Sequence, residues 1–146
     1  HHLGIRAVVK PFLAEMGLAL GAATACVSRA GASSLAEIAA LRLPSALVPL
    51  PTSADNHQFF NARAFAQSGA ARVLDQKTAT TEELVRLLQE LAGPGAVRRQ
   101  MQDALAKWHA PNAAQDIAEQ ILKVLTGAPA PAPEVSAMKR NPGFVA

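Results

Sequence analysis

The sequence predicts one α/β domain whose core is an open, parallel β-sheet with helices on both faces. Short apolar runs alternate along the chain with longer amphipathic segments. Strands that are apolar throughout are typical of parallel sheets whose two faces are both covered. Repeated strand–helix units join such strands through right-handed crossovers. The length of 146 residues fits one ordinary domain, or half of a larger enzyme.

Four apolar runs are the predicted strands, at residues 7–9, 24–28, 45–49 and 71–74. Pro11 ends the first of them. The amphipathic segments predict six helices, at residues 12–23, 34–42, 58–67, 81–91, 95–108 and 112–125. Gly69 ends the third helix, as glycine commonly does. Ligands of such sheets bind beyond the carboxyl ends of the strands, so a site is expected in the loops that follow them.

Composition excludes several classes of protein. Charged residues make up 17% of the chain and the net charge is +3, which is too weak and too scattered for a nucleic-acid-binding face. The single cysteine, Cys26, excludes a disulfide framework and a multi-cysteine zinc site. Its place in a predicted strand indicates an inert buried thiol. The apolar stretch at residues 12–27 contains Glu15 and is too short to span a bilayer. Nothing in the sequence implies a cofactor or a metal.

The two ends of the chain carry signals of their own. The first residue is His1 rather than Met, which indicates a fragment or a processed chain. His1 and His2 could be native or the remainder of a purification tag, and both possibilities stay open. An alternating Ala-Pro run predicts an extended, solvated tail over residues 127–146. The predicted domain therefore covers residues 1–126.

The loop after the second predicted strand has the composition of an anion site. Gly31 permits a tight turn there, and small residues let a ligand approach the backbone. The free N–H groups of Ala32, Ser33 and Ser34 would face outward at the positive end of a helix, which suits a phosphate. Many loops of this kind are rich in Gly and Ser and bind nothing, so the stretch alone leaves both interpretations open. It matches neither a Walker loop nor a G-x-G-x-x-G fingerprint.

Glu37 lies three residues after Ser34, and this spacing allows two roles. The two residues could form a capping box that holds the start of the helix. Alternatively, the Glu37 carboxylate could accept hydrogen bonds from a pair of sugar hydroxyls. The local pattern favours the cap.

Polar side chains are concentrated after the third predicted strand. They are Asp55, Asn56, His57, Gln58 and Asn61. Asp55 or Asn56 could simply cap the following helix. Five hydrogen-bonding side chains exceed what a cap needs, so the cluster could also bind the hydroxyls of a sugar. His57 could titrate near neutrality.

Phe12 and Leu13 follow the first predicted strand. They could form a flat apolar slot for a base. A lone Phe-Leu pair is more often part of a core, and the local pattern favours that interpretation.

Five motifs in a fixed order carry a family resemblance. They are V-x-P-F-L-x-E-M from Val9, S-R-A-G-A-S-S-x-x-E from Ser28, L-x-L-P-x-x-L-V-P from Leu41, D-N-H-Q-x-x-N-A from Asp55, and G-A-A from Gly69. Together they closely resemble the carboxyl-terminal half of the MurG family of bacterial glycosyltransferases. The resemblance covers about residues 5–126. Each motif alone is weak, but their combination is specific.

The resemblance implies the nucleotide-sugar-binding, Rossmann-like half of a two-domain GT-B enzyme. Such an enzyme transfers N-acetylglucosamine, with inversion, from UDP-N-acetylglucosamine to lipid I and so makes lipid II for peptidoglycan. The roles implied for this chain are uracil contact by Phe12 and Leu13, diphosphate binding by the turn at Gly31, Ala32, Ser33 and Ser34, ribose contact by Glu37, N-acetylglucosamine contact by His57 and Gln58, and loop support by Asn61. The resemblance outweighs the local preference for Glu37 as a cap.

The resemblance also implies what these residues lack. In the family, the amino-terminal domain supplies the acceptor site, the expected base and the patch that docks on the inner face of the bacterial plasma membrane. A donor half alone would stabilise the diphosphate leaving group without activating the acceptor hydroxyl. We therefore expect this chain to bind donor and not to turn over by itself.

Three other functions stay open at this point. One is a UDP-N-acetylglucosamine 2-epimerase-like domain, which would need a cleft with acid and base carboxylates that the sequence hardly offers. Another is the donor-binding subunit of a split transferase, as in the eukaryotic enzyme that adds the second N-acetylglucosamine to dolichol diphosphate. The third is a non-enzymatic α/β interaction domain in which the turn at Gly31 binds nothing.

Overall fold

The computed structural model describes residues 6–127. The strands in this part of the chain are β1 (Cys26–Ser28), β2 (Ser45–Leu47) and β3 (Arg72–Val73). Its α-helices are α1 (Met16–Ala22), α2 (Ala32–Ala40), α3 (His57–Gln67), α4 (Thr81–Ala92), α5 (Ala96–Ala106) and α6 (Ala113–Thr126). A short 3-10 turn, Ala54–Asn56, leads into α3.

The strands form one parallel sheet in the order β1-β2-β3, and helices connect them. Val27 of β1 pairs with Ala46 of β2, and Leu47 of β2 pairs with Val73 of β3. Every residue of the central strand is buried, as expected for a parallel strand. The predicted fold class is confirmed. Because the strands are parallel, the loops that leave their carboxyl ends lie along one edge of the sheet.

The strand predicted at residues 7–9 is wrong. These residues have no regular structure, and Val8 and Val9 are 86% and 92% exposed. A β-strand is stabilised by hydrogen bonds to a neighbouring strand, and the described part of the chain provides none beside these residues. The helix predicted over residues 12–23 is shorter in the structure, because α1 begins only at Met16.

The core lies between β2 and the helices that follow the strands. Its largest fully buried side chains include Ile38 of α2, Leu47 of β2, Leu91 of α4, and Met101 and Leu105 of α5. Many of the other core positions are alanines, which let helices approach the sheet closely. At the edge of the core, the Trp108 ring stacks on Phe65 with ring centroids 4.2 Å apart. The Trp108 Nε1–H donates to Ser68 Oγ over 2.8 Å, which satisfies the one polar group of the ring.

Helices α2 and α3 end in the same way, with a left-handed residue that turns the chain back toward the sheet. After α2, Arg42 has φ 49° and the Leu43 N–H donates to the Ile38 carbonyl at 3.0 Å. After α3, Gly69 has φ 78° and the Ala70 N–H donates to the Phe65 carbonyl at 2.8 Å. Both patterns are Schellman motifs. The predicted end of α3 at Gly69 is therefore confirmed.

The ends of the chain fall outside this description. The tail predicted at residues 127–146 lies outside the described residues apart from Gly127, and so do His1 and His2. Among the described helices, none is both long enough and apolar enough to cross a bilayer.

Candidate functional site

The loops that follow the three strands meet at one edge of the sheet, and Arg29 joins them. Arg29 comes directly after β1. Its Nη1 donates to the Val48 carbonyl after β2 at 3.0 Å, and to Gln76 Oε1 after β3 at 2.6 Å. Sequence reasoning missed the part played by Arg29 and Gln76. The one available signal was that each follows the end of a predicted strand.

The loop after β1 runs through Ala30 and Gly31 into α2. The first backbone hydrogen bond of this helix goes from the Leu35 N–H to the Gly31 carbonyl at 3.0 Å. The N–H groups of the first three helical residues, Ala32, Ser33 and Ser34, therefore have no intrahelical acceptor. Ala32 and Ser33 are exposed, and Ser34 is half-buried. Together with the helix dipole, this arrangement is the geometry of an anion site.

Gly31 has ordinary extended backbone, with φ −72° and ψ 145°. The tight turn that Gly31 would permit is therefore not formed, because these are angles that any residue adopts. A Cβ added to Gly31 would meet nothing within 4 Å among the described residues. What glycine provides is an uncovered backbone just ahead of the free N–H groups.

The capping interpretation of Glu37 is also wrong. Helix α2 begins at Ala32 with Gly31 as its N-cap residue, so Ser34 is the third residue of the helix and not its cap. No side-chain hydrogen bond caps this helix. Glu37 is exposed, and it lies four residues after Ser33, which places the two side chains on the same face. The carboxylate is thus one helical turn from the anion site and open to solvent.

Helix α3 supplies two polar side chains that tie the loops together. Asn61 Nδ2 donates to the Ala30 carbonyl at 3.1 Å. This bond holds the loop between β1 and α2, called the anion loop below, against α3. Gln58 Oε1 accepts from the Leu50 N–H at 3.0 Å, which fixes the loop after β2. The amide nitrogen of Gln58 is not used in that contact. Both predicted site residues are therefore anchored at this edge of the sheet.

His57 is the first residue of α3 and its side chain is exposed. Its Nδ1 lies 2.7 Å from the Ala54 carbonyl oxygen. A carbonyl oxygen can only accept, so this contact favours the tautomer with the proton on Nδ1. Nε2 is then the acceptor nitrogen of the neutral ring.

Asp55 and Asn56 do not cap α3 through their side chains, although the sequence allowed it. Asn56 occupies the N-cap position without a side-chain cap hydrogen bond. Both residues have left-handed backbone, with φ 49° and 54°. Asp and Asn tolerate this conformation better than most residues with a Cβ. The tight turn brings Asn56 to the wall of a groove between the ends of β2 and β3.

That groove has a volume of about 190 Å³. Its lining consists of the apolar residues Pro49, Leu50, Pro51, Phe59 and Val73 and the polar residues Asn56, Asp75 and Lys77. Sequence reasoning missed it, because its lining comes from three separate segments that only the folded chain brings together.

Phe12 and Leu13 precede α1. Phe12 is 81% exposed and Leu13 is half-buried. The core interpretation favoured by the local pattern is therefore wrong for Phe12. An exposed aromatic ring of this kind is available to a flat apolar ligand.

Cys26 does not offer a reactive nucleophile. Desolvation by burial raises the pKa of its thiol from 9.0 to about 11. The thiolate is therefore scarce at neutral pH. Across residues 6–127, no group of His, Cys, Asp and Glu side chains is arranged to hold a metal ion.

The fold defines the class of protein: it is a Rossmann-like α/β domain of the kind that GT-B glycosyltransferases contain. Residues 1–121 match the glycosyltransferase family 28 C-terminal domain, and the chain belongs to this family. The resemblance to the MurG family is confirmed.

Two curated relatives show the extent of the match. The UDP-N-acetylglucosamine–N-acetylmuramyl-(pentapeptide) pyrophosphoryl-undecaprenol N-acetylglucosamine transferase of Desulforamulus reducens is 38% identical over 81% of this chain and 32% of its own length. The enzyme of the same name from Sorangium cellulosum is 40% identical over 82% of this chain and 29% of its own length. The chain thus spans about a third of the length of these relatives.

Solved structures agree with this assignment. The crystal structure of Acinetobacter baumannii MurG matches with a TM-score of 0.69 and 34% identity, over 80% of this chain and 33% of that one. The glycotransferase of kitacinnamycin matches with a TM-score of 0.55 and 23% identity, which shows the shared fold alone.

Proposed function

We propose that this chain is the donor-binding half of a transferase that moves N-acetylglucosamine from UDP-N-acetylglucosamine to lipid I and so makes lipid II for peptidoglycan. The names of the curated relatives support the donor, and they describe transfer to an undecaprenol-linked pentapeptide. The observation that carries the proposal is the uncapped start of α2, with three free N–H groups ahead of an exposed carboxylate on the same helix.

The start of α2 suits the diphosphate of the donor. Transfer of the sugar releases UDP, so negative charge grows on the phosphate oxygens as the glycosidic bond breaks. N–H groups that are already oriented at the positive end of a helix stabilise that charge without reorganising. The Ala32, Ser33 and Ser34 N–H groups therefore assist departure of the leaving group as well as binding.

Glu37 suits the ribose. A carboxylate accepts hydrogen bonds from both hydroxyls of a vicinal pair, and a neutral side chain of the same size does so less strongly. Glu37 lies one helical turn beyond the free N–H groups, which is about the separation between a diphosphate and the ribose attached to it. Phe12 and Leu13 would then contact the uracil.

The start of α3 faces the sugar in this proposal. His57 offers Nε2, and Gln58 offers the amide nitrogen left over from its bond to Leu50. Asn61 has a supporting role, because its amide is committed to the Ala30 carbonyl. His57 is not proposed as the base that activates the acceptor hydroxyl.

The proposal assigns half of the reaction to these residues. Acceptor binding, proton removal from the acceptor hydroxyl and contact with the inner face of the plasma membrane are assigned to a partner domain of the kind that makes up the rest of the relatives. We accordingly expect the 146-residue chain to bind donor without transferring the sugar.

Calorimetric titration of the chain with UDP-N-acetylglucosamine tests the proposal. UDP-glucose and ADP are the ligand controls, Glu37→Gln is the test variant, and Glu119→Gln replaces an exposed glutamate on α6 as the matched control. We expect UDP-N-acetylglucosamine to bind best of the three ligands. Glu37→Gln should lower the affinity for it about tenfold, because charge-assisted hydrogen bonds are lost. If the folded chain binds none of the three ligands, the proposal is contradicted and a non-enzymatic interaction domain is favoured.

A further inference from the structure

The hydrogen bonds of Arg29 link positions that are far apart in the chain. Gln76 lies 47 residues after Arg29, and Val48 lies 19 residues after it. The Val48 carbonyl and a longer contact to the Pro49 carbonyl, at 3.5 Å, belong to the loop after β2, and Gln76 belongs to the loop after β3. One side chain therefore connects the carboxyl ends of β1, β2 and β3. The Arg29–Gln76 contact, at 2.6 Å, is the shortest of the three and is charge-assisted.

The neighbour of Arg29 is fixed by a separate hydrogen bond. Ala30 is fully buried, and its carbonyl accepts the hydrogen bond from Asn61 of α3. The peptide that leads into α2 is thus held by Arg29 toward β2 and β3 and by Asn61 toward α3. Gly31 comes next and has no side chain that could stiffen the backbone further. The direction of the free N–H groups at the start of α2 consequently depends on these two anchors.

We propose that Arg29 and Gln76 act together as positioning residues that orient the Ala32, Ser33 and Ser34 N–H groups toward the diphosphate of a nucleoside diphosphate. This inference rests on the proposed donor site. In it, Gln76 acts without touching the ligand, by holding the Arg29 guanidinium in place. The bond from Arg29 to the Val48 carbonyl then fixes the anion loop against the central strand.

Gln76→Ala is the decisive variant, because it removes the side-chain acceptor of Arg29, leaves the main-chain acceptors in place and changes no charge. Arg29→Ala, the double variant and Gln76→Glu complete the set, since a glutamate can still accept from the guanidinium. Arg86→Ala, at an exposed arginine of α4, is the matched control. Each chain is first shown to be folded by circular dichroism and by its thermal unfolding midpoint.

The first readout needs no ligand. In ¹⁵N-labelled chain, the proposal expects Gln76→Ala to shift the amide resonances of Ala32, Ser33 and Ser34 and to speed their hydrogen exchange. Gln76→Glu should restore both properties, and Arg86→Ala should change neither. Unchanged resonances of these three amides in folded Gln76→Ala would overturn the proposal.

The second readout compares UDP with uridine. Loss of a hydrogen bond to a charged group should make Gln76→Ala bind UDP about tenfold more weakly, while uridine affinity stays the same. Arg29→Ala and the double variant should lose about as much UDP affinity as Gln76→Ala alone, because each of them breaks the same Arg29–Gln76 pair. If Arg29 instead attracts phosphate directly, Arg29→Ala will weaken UDP binding and Gln76→Ala will not. That result would contradict the positioning role.

The two readouts separate this inference from the donor proposal. Absence of UDP binding by the unmodified chain would contradict the donor proposal, and the diphosphate part of the inference with it. The ligand-free amide resonances would still decide whether Arg29 and Gln76 orient the start of α2.

Discussion

The side-chain amide of Asn61 donates to the main-chain carbonyl of Ala30 over 3.1 Å. This bond joins α3 to the loop that enters α2, and it satisfies a carbonyl of a fully buried residue. A buried carbonyl without a partner is costly, so the bond stabilises the fold and shapes the candidate site at the same time.

Asn61→Ala should therefore destabilise the domain by about 1–3 kcal/mol, the range for leaving a buried polar group unsatisfied. Asn61→Asp should cost at least as much at neutral pH, because a carboxylate cannot donate to a carbonyl. Urea unfolding followed by circular dichroism measures both effects. Asn112→Ala is the control, since that exposed asparagine makes no side-chain cap bond, and its effect should stay within about 0.5 kcal/mol. An equally small effect of Asn61→Ala would show that the bond contributes nothing.

Arg42→Gly should stabilise the domain by about 1 kcal/mol. Arg42 has φ 49° in the Schellman motif after α2, and glycine adopts this left-handed backbone without the Cβ conflict. The reverse change in the equivalent motif, Gly69→Ala, should destabilise by a similar amount, because a Cβ there has room beside Ala104 and only the backbone conformation is penalised. Midpoints of thermal unfolding should move in opposite directions. Two shifts of the same sign would contradict this account of the helix ends.

The start of α4 provides a test of the corrected role of Ser34. Thr80 Oγ1 accepts from the Glu83 N–H at 3.2 Å, and Glu83 Oε2 accepts from the Thr80 N–H at 3.1 Å, so a complete capping box is present. Thr80→Ala should cost about 1 kcal/mol. Ser34→Ala should cost less than about 0.5 kcal/mol, because Ser34 lies inside its helix and caps nothing. Equal losses in chemical unfolding would revive the capping role for Ser34.

Cys26 should react slowly with iodoacetamide at pH 7, and its rate should rise steeply as the pH approaches 11. The raised thiol pKa means that thiolate forms in the folded chain only well above its ordinary pKa of 9.0. The unfolded chain loses this proton first, so the contribution of Cys26 to stability is complete below pH 9 and is lost as the pH rises toward 11. Alkylation followed by mass spectrometry gives the rate profile, with Cys26→Ala as the blank. A fast reaction of Cys26 at pH 7 in the folded chain would contradict the raised thiol pKa.

The sequence predicted those parts of the fold that depend on local pattern. The central strand around Ala46 is mostly apolar and is buried, and the end of α3 depends on a single glycine, Gly69. The strand predicted at residues 7–9 has the same apolar character but no neighbouring strand in the described part of the chain. Local pattern does not reveal whether a partner strand is present.

The candidate site was predictable in its residues and less so in its geometry. The free N–H groups could be placed near Ser33, because a small-residue loop leads into an amphipathic helix there. The helix start at Ala32 could not be placed, since Ser34 and Glu37 match a capping box equally well on sequence alone. The bond from Arg29 to Gln76 joins loops 47 residues apart and follows from the packing of the whole sheet.

The central claim is that the start of α2 binds the donor's diphosphate, and an NMR titration of ¹⁵N-labelled chain with UDP-N-acetylglucosamine tests it most directly. The account predicts saturable shifts that are largest at the amides of Ala32, Ser33 and Ser34, where hydrogen bonds to phosphate would form. N-acetylglucosamine alone should leave these amides unchanged. Saturable shifts confined to other parts of the chain, or none at all in folded protein, would contradict the claim.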